Sequence, residues 1–228
     1  MIKSKEEYYY YLEADRIALS KPKASSFGLK ENIKYFFFPD YIWEFQKTLR
    51  KLEYLANKKR NLIENINHFF VLRRFYKQSL KLGFTIPLNV FGPGLSIAHY
   101  GTIIINSGAK VGANCRIHAD VNIGTDVGYH DKAPVFGDNI YIGPGAKIFG
   151  NITIASNIAI GANAVVNKSF DEQHIAIGGI PAKKIADNID LDDIMIRATN
   201  IIDLGLNKRE LAGITSKEIK ELLKSEKK

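Results

Sequence analysis

Aliphatic residues recur every six positions through the middle of the chain. A six-residue step turns by about 120° per repeat in an α-helix, so no helical face could collect them. A single β-strand of about five or six residues also could not continue through ten repeats. The pattern instead predicts a hexapeptide β-helix, a solenoid whose coils bury these side chains against one another. The repeat has two runs: Ile105, Val111, Ile117 and Ile123, then Phe136, Ile142, Ile148, Ile154, Ile160 and Val166.

The two runs differ in phase, and the break between them predicts a loop. The step from Ile123 to Phe136 is not a multiple of six. Residues 128–134, with the sequence GYHDKAP, should therefore leave the regular wall. A second slip precedes the first run, because Ile97 and Ile103 share a different phase. Function in solenoids often lies where an insertion interrupts the wall.

Three histidines lie at these irregular places. His99 follows the first slip, His130 lies in the predicted loop, and His118 stands where other repeats have a turn glycine. Histidine is the side chain best suited to exchange a proton near neutral pH. The irregular places are therefore the candidate site.

The first third and the tail have helical patterns. EYYYYLEADRIALS predicts a helix, Asp40 is expected to cap a second, and Asn61 a third that ends before Gly83. In the tail we expect a helix near 190–199 and a last one from Thr215, which has capping-box spacing to Glu218. The fold class predicted is an all-β parallel β-helix flanked by an α-helical N-terminal region and a short helical tail.

Charge and glycine content change at the same place. The chain has 228 residues and a net charge of +8. Residues 1–85 hold 17 Lys and Arg against nine Asp and Glu, whereas residues 86–185 hold 14 of the 18 glycines. We therefore predict three parts: a helical region 1–85, a β-helix 86–185 and a helical tail 186–228.

The single cysteine, Cys115, excludes an intramolecular disulfide framework and a multi-cysteine metal cluster. It occupies an inward position of its hexad, where core packing is expected. The sequence begins without a secretory-signal pattern and has no run of 18 apolar residues, so a cytoplasmic location is expected.

Two segments carry a resemblance to a known family. LSIAHYGTIIINSGAKVG (95–112) and GGIPAKKI (178–185) resemble the hexapeptide acyltransferases of left-handed β-helix fold, and within them the serine acetyltransferase group. The resemblance covers roughly residues 84–185. It implies transfer of acetyl from acetyl-CoA, a co-substrate, to a hydroxyl without a covalent enzyme intermediate or a metal. It also implies a homotrimer that binds CoA between subunits.

The resemblance implies roles for particular residues. His99 falls on the catalytic histidine, which would serve as general base, and His118 could assist it or hold the acceptor. Asp120, Asp126 and His130 are candidate acceptor-binding residues. The positions that match CoA contacts are Pro144, Ala162, Asn167, Lys168 and Lys183, and the two lysines suit CoA phosphates.

Departures from the family pattern bear on the acceptor. Ala98 and Phe84 stand where serine acetyltransferases have aspartates, and Ala133 stands where they have a histidine. Losing the carboxylates removes partners for a serine ammonium group, so a sugar or glycan precursor is the predicted acceptor. IGPGAKIFG and the DKAP loop also resemble the capsule and exopolysaccharide variant of the family.

Other functions remain as alternatives. The first is a serine O-acetyltransferase of cysteine biosynthesis, and the second is a β-helix scaffold without catalysis. The third is a zinc enzyme like the γ-class carbonic anhydrases. Those enzymes have two zinc-binding histidines close together in sequence, whereas His99, His118 and His130 are widely spaced and match that pattern poorly.

The basic N-terminal region has two interpretations. Phe36–Phe38, Phe69 and Phe70 could form a helical core or a subunit contact. With Arg73 and its basic neighbours they could instead attach peripherally to a membrane. Nucleic-acid binding is not predicted, because no recognition motif accompanies the charge.

Overall fold

The structure is a computed structural model, and it describes residues 1–22, 28–129 and 132–203. Both predicted caps are confirmed. Asp40 accepts a hydrogen bond from the Trp43 amide at 3.0 Å, and Asn61 accepts one from the Glu64 amide at 2.9 Å. One helix was not predicted, the second of the four. The helices are α1 Lys5–Ala18, α2 Leu29–Phe37, α3 Tyr41–Ala56 and α4 Leu62–Leu82.

Short strands follow, and the chain visits three sheets in turn. Face one contains β1, β3, β6, β9 and β12, face two contains β4, β7 and β10, and face three contains β2, β5, β8, β11, β13 and β14. Neighbouring strands are parallel except β13 and β14. Three parallel faces wound in sequence form the predicted β-helix. The strands are β1 Phe84–Thr85, β2 Ser96–Ile97, β3 Ile103–Ile105, β4 Lys110–Val111, β5 Cys115–Ile117, β6 Val121–Gly124, β7 Val135–Phe136, β8 Ile140–Ile142, β9 Lys147–Phe149, β10 Thr153–Ile154, β11 Ile158–Ile160, β12 Val165–Val166, β13 Ile175–Gly178 and β14 Lys183–Ala186.

Strand register confirms the predicted loop. Ile103 pairs with Val121, and the step between them is one coil of three hexads. Cys115 pairs with Ile140, a step that exceeds three hexads by seven positions, so this coil carries an insertion between β6 and β7. Seven is also the length of the predicted loop, 128–134.

The inward positions of the hexads form a continuous core. Ile117, Ile142 and Ile160 are fully buried, as the six-residue repeat requires. Cys115 is also buried among them, so its predicted place in the core is confirmed. Burial raises the pKa of its thiol, which leaves no reactive thiolate.

One corner of the β-helix is held by a ladder of amide side chains. Asn114 donates to Asn139, and Asn139 donates to Asn157, each at 2.9 Å. All three have left-handed backbone conformations, with φ near +60°. Thr199 joins the ladder, because its hydroxyl accepts from Asn114 at 2.7 Å and its amide donates back. The ladder therefore ties α5, Ala198–Asp203, to the coils.

We expect Asn139→Ala to lower the free energy of unfolding more than Asn139→Gly. Both variants lose the ladder hydrogen bonds, but only alanine adds a Cβ at φ +58°, which costs about 1–2 kcal/mol more. Urea unfolding of the two variants measures the difference. Equal unfolding midpoints would show that the corner conformation carries no strain for alanine.

A buried charge network joins the helices to the first coil. Both Asp15 and Arg50 are fully buried, and the Arg50 Nε lies 2.8 Å from an Asp15 oxygen. Asp15 also accepts hydrogen bonds from the Gly94 and Leu95 amides, at 2.9 and 2.8 Å. Arg50 additionally pairs with Glu53 at 3.0 Å. The network therefore fixes α1 and α3 against the loop before β2.

The tail differs from its prediction. Instead of one helix near 190–199, a 3₁₀ turn at Leu191–Asp193 and the short α5 are present. The buried Asp192 pairs with Arg197 at 2.6 Å, which holds the connecting segment in a non-helical path. The helix predicted from Thr215 to beyond Glu218 lies outside the described residues. The division at 85/86 and 185/186 stays a prediction.

The aromatic residues of the N-terminal region are exposed. Phe36, Phe38 and Phe69 are 79%, 78% and 61% exposed, and Phe37 and Phe70 are similar. Their predicted place in a helical core is therefore wrong, because α2 and one side of α4 have no apolar partner among the described residues. A subunit contact or a membrane contact stays a prediction. None of the helices in the described ranges is long and apolar enough to cross a membrane.

Candidate active site

The corner where face three meets face one brings His99 and His118 together. β2 and β5 are adjacent parallel strands in which Ile97 pairs with Ile117. Each strand is followed closely by one of the histidines. Their ring centroids lie 5.8 Å apart. Two histidines that are distant in sequence thus form one pair.

His118 is the sheltered member of the pair. Its ring lies 5.1 Å from the Tyr141 ring, and its Nε2 is buried without a hydrogen-bond partner among the described residues. Desolvation lowers the pKa of His118, and the positive charge of Arg116 and the presence of His99 lower it further. The surroundings of His118 therefore favour its neutral form.

His99 is the accessible member. It lies in the turn after β2, and its side chain is exposed. The turn continues through Gly101, whose φ is +132° and where an added Cβ would lie 3.2 Å from the Ala119 Cβ, so glycine suits this position. A general base has to be accessible to substrate, and the exposed ring of His99 is accessible.

A strip without side chains runs along the corner below His118. Gly143 and Gly161 take the place of His118 in the next two coils, and the amides of all three donate to the coil below. A Cβ at Gly143 would lie 2.8 Å from the Ala162 nitrogen, so the close approach of the coils requires glycine there. His118 thus occupies a glycine position, as predicted, at the head of a narrow strip.

The five positions predicted to contact CoA lie along both edges of face one. Pro144 and Ala162 are exposed beside the glycine strip, whereas Asn167 and Lys168 are exposed past the far end of β12. Lys183 begins β14, and the preceding residue donates its amide to the Val165 carbonyl of β12 at 2.8 Å. These residues border one face without forming a single cluster. Their role stays a prediction.

The predicted acceptor residues are separated. Asp120 closely follows His118, at the same corner, with φ +61° and an ion pair to Lys147 at 3.4 Å. Asp126 lies beyond β6, at the opposite edge of face one and beside Gly150. His130 lies outside the described residues. Of the three, the structure places Asp120 at the histidine corner.

The same histidines were the candidate ligands of the zinc-enzyme alternative. Across residues 1–22, 28–129 and 132–203, no three His, Cys, Asp or Glu side chains are grouped as ligands for a metal ion. His130, the third histidine of that alternative, lies outside these ranges.

A cavity of about 450 Å³, which local sequence does not predict, opens beside Ala98, the residue before His99. Its wall on face three includes Ala98, which precedes His99, and Arg116, which lies on the same side of β5 as His118. Lys21 and Asp40 line the opposite wall and form an ion pair with each other. One feature of the sequence could have indicated this wall: Arg116 is two residues from His118, so both side chains point outward from the same face. The helical wall could not be inferred from local sequence.

Comparison with known proteins gives the same fold and a consistent set of relatives. The serine acetyltransferases of Staphylococcus xylosus and Staphylococcus epidermidis are 38% identical over 88 and 91 residues, which is 38% and 40% of this chain. The matched regions span 41% and 42% of those relatives, well under half their length. No family model matches the chain.

Solved structures match over a longer stretch. A Brucella abortus serine acetyltransferase in complex with coenzyme A has a TM-score of 0.62 at 22% identity, covering 81% of this chain and 70% of that one. The Neisseria gonorrhoeae serine acetyltransferase has a TM-score of 0.61 at 23% identity, covering 82% and 69%. The comparison includes the N-terminal helices as well as the coils, and it confirms the left-handed β-helix.

These relatives contradict the predicted sugar or glycan acceptor, and they do not support a capsule variant. That prediction assumed that the changes at Ala98, Ala133 and Phe84 leave the site without charged groups. The structure brings other charged groups to the place: Arg116 from β5 and Asp40 from the start of α3 line the cavity beside Ala98. The two missing carboxylates and the missing histidine therefore do not exclude an amino-acid acceptor.

The described coils thus have the fold of the hexapeptide-repeat acyltransferases, and the relatives found for this chain within that group are serine acetyltransferases.

Proposed function

We propose that the protein is an acetyl-CoA-dependent O-acetyltransferase whose acceptor is serine. The observation that carries the proposal is an exposed histidine paired with a sheltered one, beside a cavity lined by charges of both signs. The names of the relatives support the same acceptor, and one solved relative is in complex with coenzyme A.

The reaction needs one proton acceptor. Neutral His99 takes the proton of the serine hydroxyl while the oxygen attacks the thioester carbonyl carbon. The carbonyl electrons move to oxygen, which backbone N–H donors can stabilise. When the C=O re-forms, the C–S bond breaks, and the thiolate of CoA receives the proton from the imidazolium. No bond to the protein forms.

The neighbouring histidine supports the base electrostatically. A protonated His118 would disfavour the imidazolium that His99 must become, because like charges at this distance repel. The lowered pKa of His118 favours its neutral form, which avoids that repulsion. His118 thus assists His99 in the proposed reaction without exchanging a proton with substrate.

The donor is proposed to lie along the glycine strip. The strip begins at His118 and gives an extended chain a path free of side chains. Exposed Lys168 and Lys183 offer ammonium groups for phosphates. We also propose a homotrimer, in which a neighbouring subunit covers the exposed His99 and completes the groove.

We expect the purified protein to release free thiol from acetyl-CoA only when L-serine is added. Mass spectrometry should identify O-acetylserine as the second product. A neutral monosaccharide at equal concentration serves as the control acceptor and should give no release above hydrolysis. Release with the sugar and none with serine would overturn the proposal. Failure to bind acetyl-CoA in calorimetry would also overturn it, in favour of a scaffold.

A further inference from the structure

The cavity beside the histidine pair is formed where the helices cover face three. The end of α1 with residues 19–21, the start of α3 and residues 194–196 lie over the outward sides of β2 and β5. Its volume of about 450 Å³ is that of some 15 liquid waters, which is room for a small metabolite. The cavity is thus a built space between two parts of the fold.

Arg116 is the cationic group of the cavity that lacks an anion. Its guanidinium donates to the neutral Ser96 hydroxyl at 3.2 Å, and no acidic side chain of the described residues lies within ion-pair distance of it. Arg50 and Arg197, by contrast, each hold a carboxylate. A half-buried guanidinium without a counter-charge is unfavourable, and its planar donors fit a carboxylate in a bidentate manner.

The position of Arg116 relates it to the reacting groups. Arg116 and His118 are alternate residues along one strand direction, so they project to the same side about 7 Å apart. Ala98 lines the cavity between that strand and His99. If Arg116 binds the carboxylate of a small molecule, the remainder of that molecule can therefore extend toward the histidine pair.

Asp40 lies on the wall opposite Arg116, where it forms an ion pair with Lys21. It is the only acidic residue of the described cavity lining. It is held in place by Lys21 and by the Trp43 amide, which it caps. Because Lys21 compensates Asp40, Arg116 is the one charged group of the described cavity lining without an opposite charge, and its guanidinium matches the carboxylate of an α-amino acid.

We propose that Arg116 binds the carboxylate of the acceptor and thereby selects a hydroxy amino acid over a neutral alcohol. The inference rests on the proposed function and names the residue that recognises its acceptor. The family resemblance implies no role for Arg116.

We expect Arg116→Gln to raise the KM for L-serine about 10- to 100-fold, because a hydrogen bond between charged groups contributes about 1.5–3 kcal/mol. The KM for acetyl-CoA should not change. L-serinamide, which lacks the carboxylate, should be a poor acceptor for the wild type and an equal one for the variant. Arg116→Lys keeps the charge without the planar fork and should give an intermediate KM.

Arg73→Gln is the matched control, because it removes one positive charge from an exposed position of α4. It should leave both KM values unchanged. Circular dichroism and thermal melting check the fold of every variant, and Arg116→Lys keeps the test decisive if Arg116→Gln does not fold.

The outcomes separate this inference from the proposed function. The wild type could turn over serine while the Arg116 variants keep the same KM for serine and the same preference for serine over serinamide. That result overturns the role of Arg116 alone. No serine turnover by the wild type overturns the proposed function. Calorimetry with L-serine in the absence of acetyl-CoA then tests the role of Arg116. Binding by the wild type that is lost in Arg116→Gln supports this role. No binding by the wild type, or equal binding by the variant, overturns it.

Discussion

The His99→Ala variant is expected to lower kcat about 10²–10⁴-fold, the usual contribution of a positioned general base. The affinity for CoA should change little, because the imidazole acts on the acceptor hydroxyl and the donor is proposed to lie along the glycine strip. Steady-state kinetics with L-serine and calorimetry with CoA measure the two effects separately.

His174→Asn is the matched control for this experiment. His174 is an exposed corner histidine with φ +60°, and asparagine tolerates that conformation. It should keep the wild-type kcat. A His99→Ala enzyme within a factor of three of the wild type would show that His99 is not the base, and His118 would become the histidine to test.

The second large effect is expected on stability. Asp15→Ala should lower the free energy of unfolding by about 3–5 kcal/mol, as when one partner of a buried ion pair is removed. The variant leaves Glu53 as the only acidic partner of Arg50 among the described residues, and it leaves the Gly94 and Leu95 amides without their acceptor. Urea unfolding followed by tryptophan fluorescence measures the change, because Trp43 lies in α3, the helix that carries Arg50.

Glu172→Gln is the control for charge removal at the surface. Glu172 pairs with Lys184 at 3.0 Å, but both side chains are substantially exposed. Exposed ion pairs contribute little to stability, so the unfolding midpoint should stay that of the wild type. If Asp15→Ala were as mild as Glu172→Gln, the buried network would not be what holds the helices to the first coil.

Local patterns predicted those features that depend on periodicity. The six-residue repeat can bury its aliphatics only in a coil of short strands, so the β-helix and the burial of Cys115 followed from it. The phase break between Ile123 and Phe136 gave the loop and its length. Asp40 and Asn61 were recognisable as caps because capping involves only the next three residues.

Local patterns failed where distant segments meet. The exposure of Phe36 and Phe69 could not be foreseen, because an apolar sequence does not show whether a partner surface exists. The Asp15–Arg50 pair joins residues 35 positions apart and has no sequence signature. The same limit explains the wrong acceptor: substitutions such as Ala98 are visible in sequence, whereas charges supplied from other elements are not.

By itself the sequence determined the solenoid, the coil with the insertion and the histidines at its irregular positions. A repeat and its exceptions are both visible in the order of the residues alone. Tertiary structure alone decided that His99 and His118 form a pair, while Asp126 lies across the face from them. It also decided that Arg116 faces a cavity closed by α1, α3 and the tail. The physical reason is that side-chain direction follows from strand alternation, but the surroundings of a side chain depend on how separate elements pack.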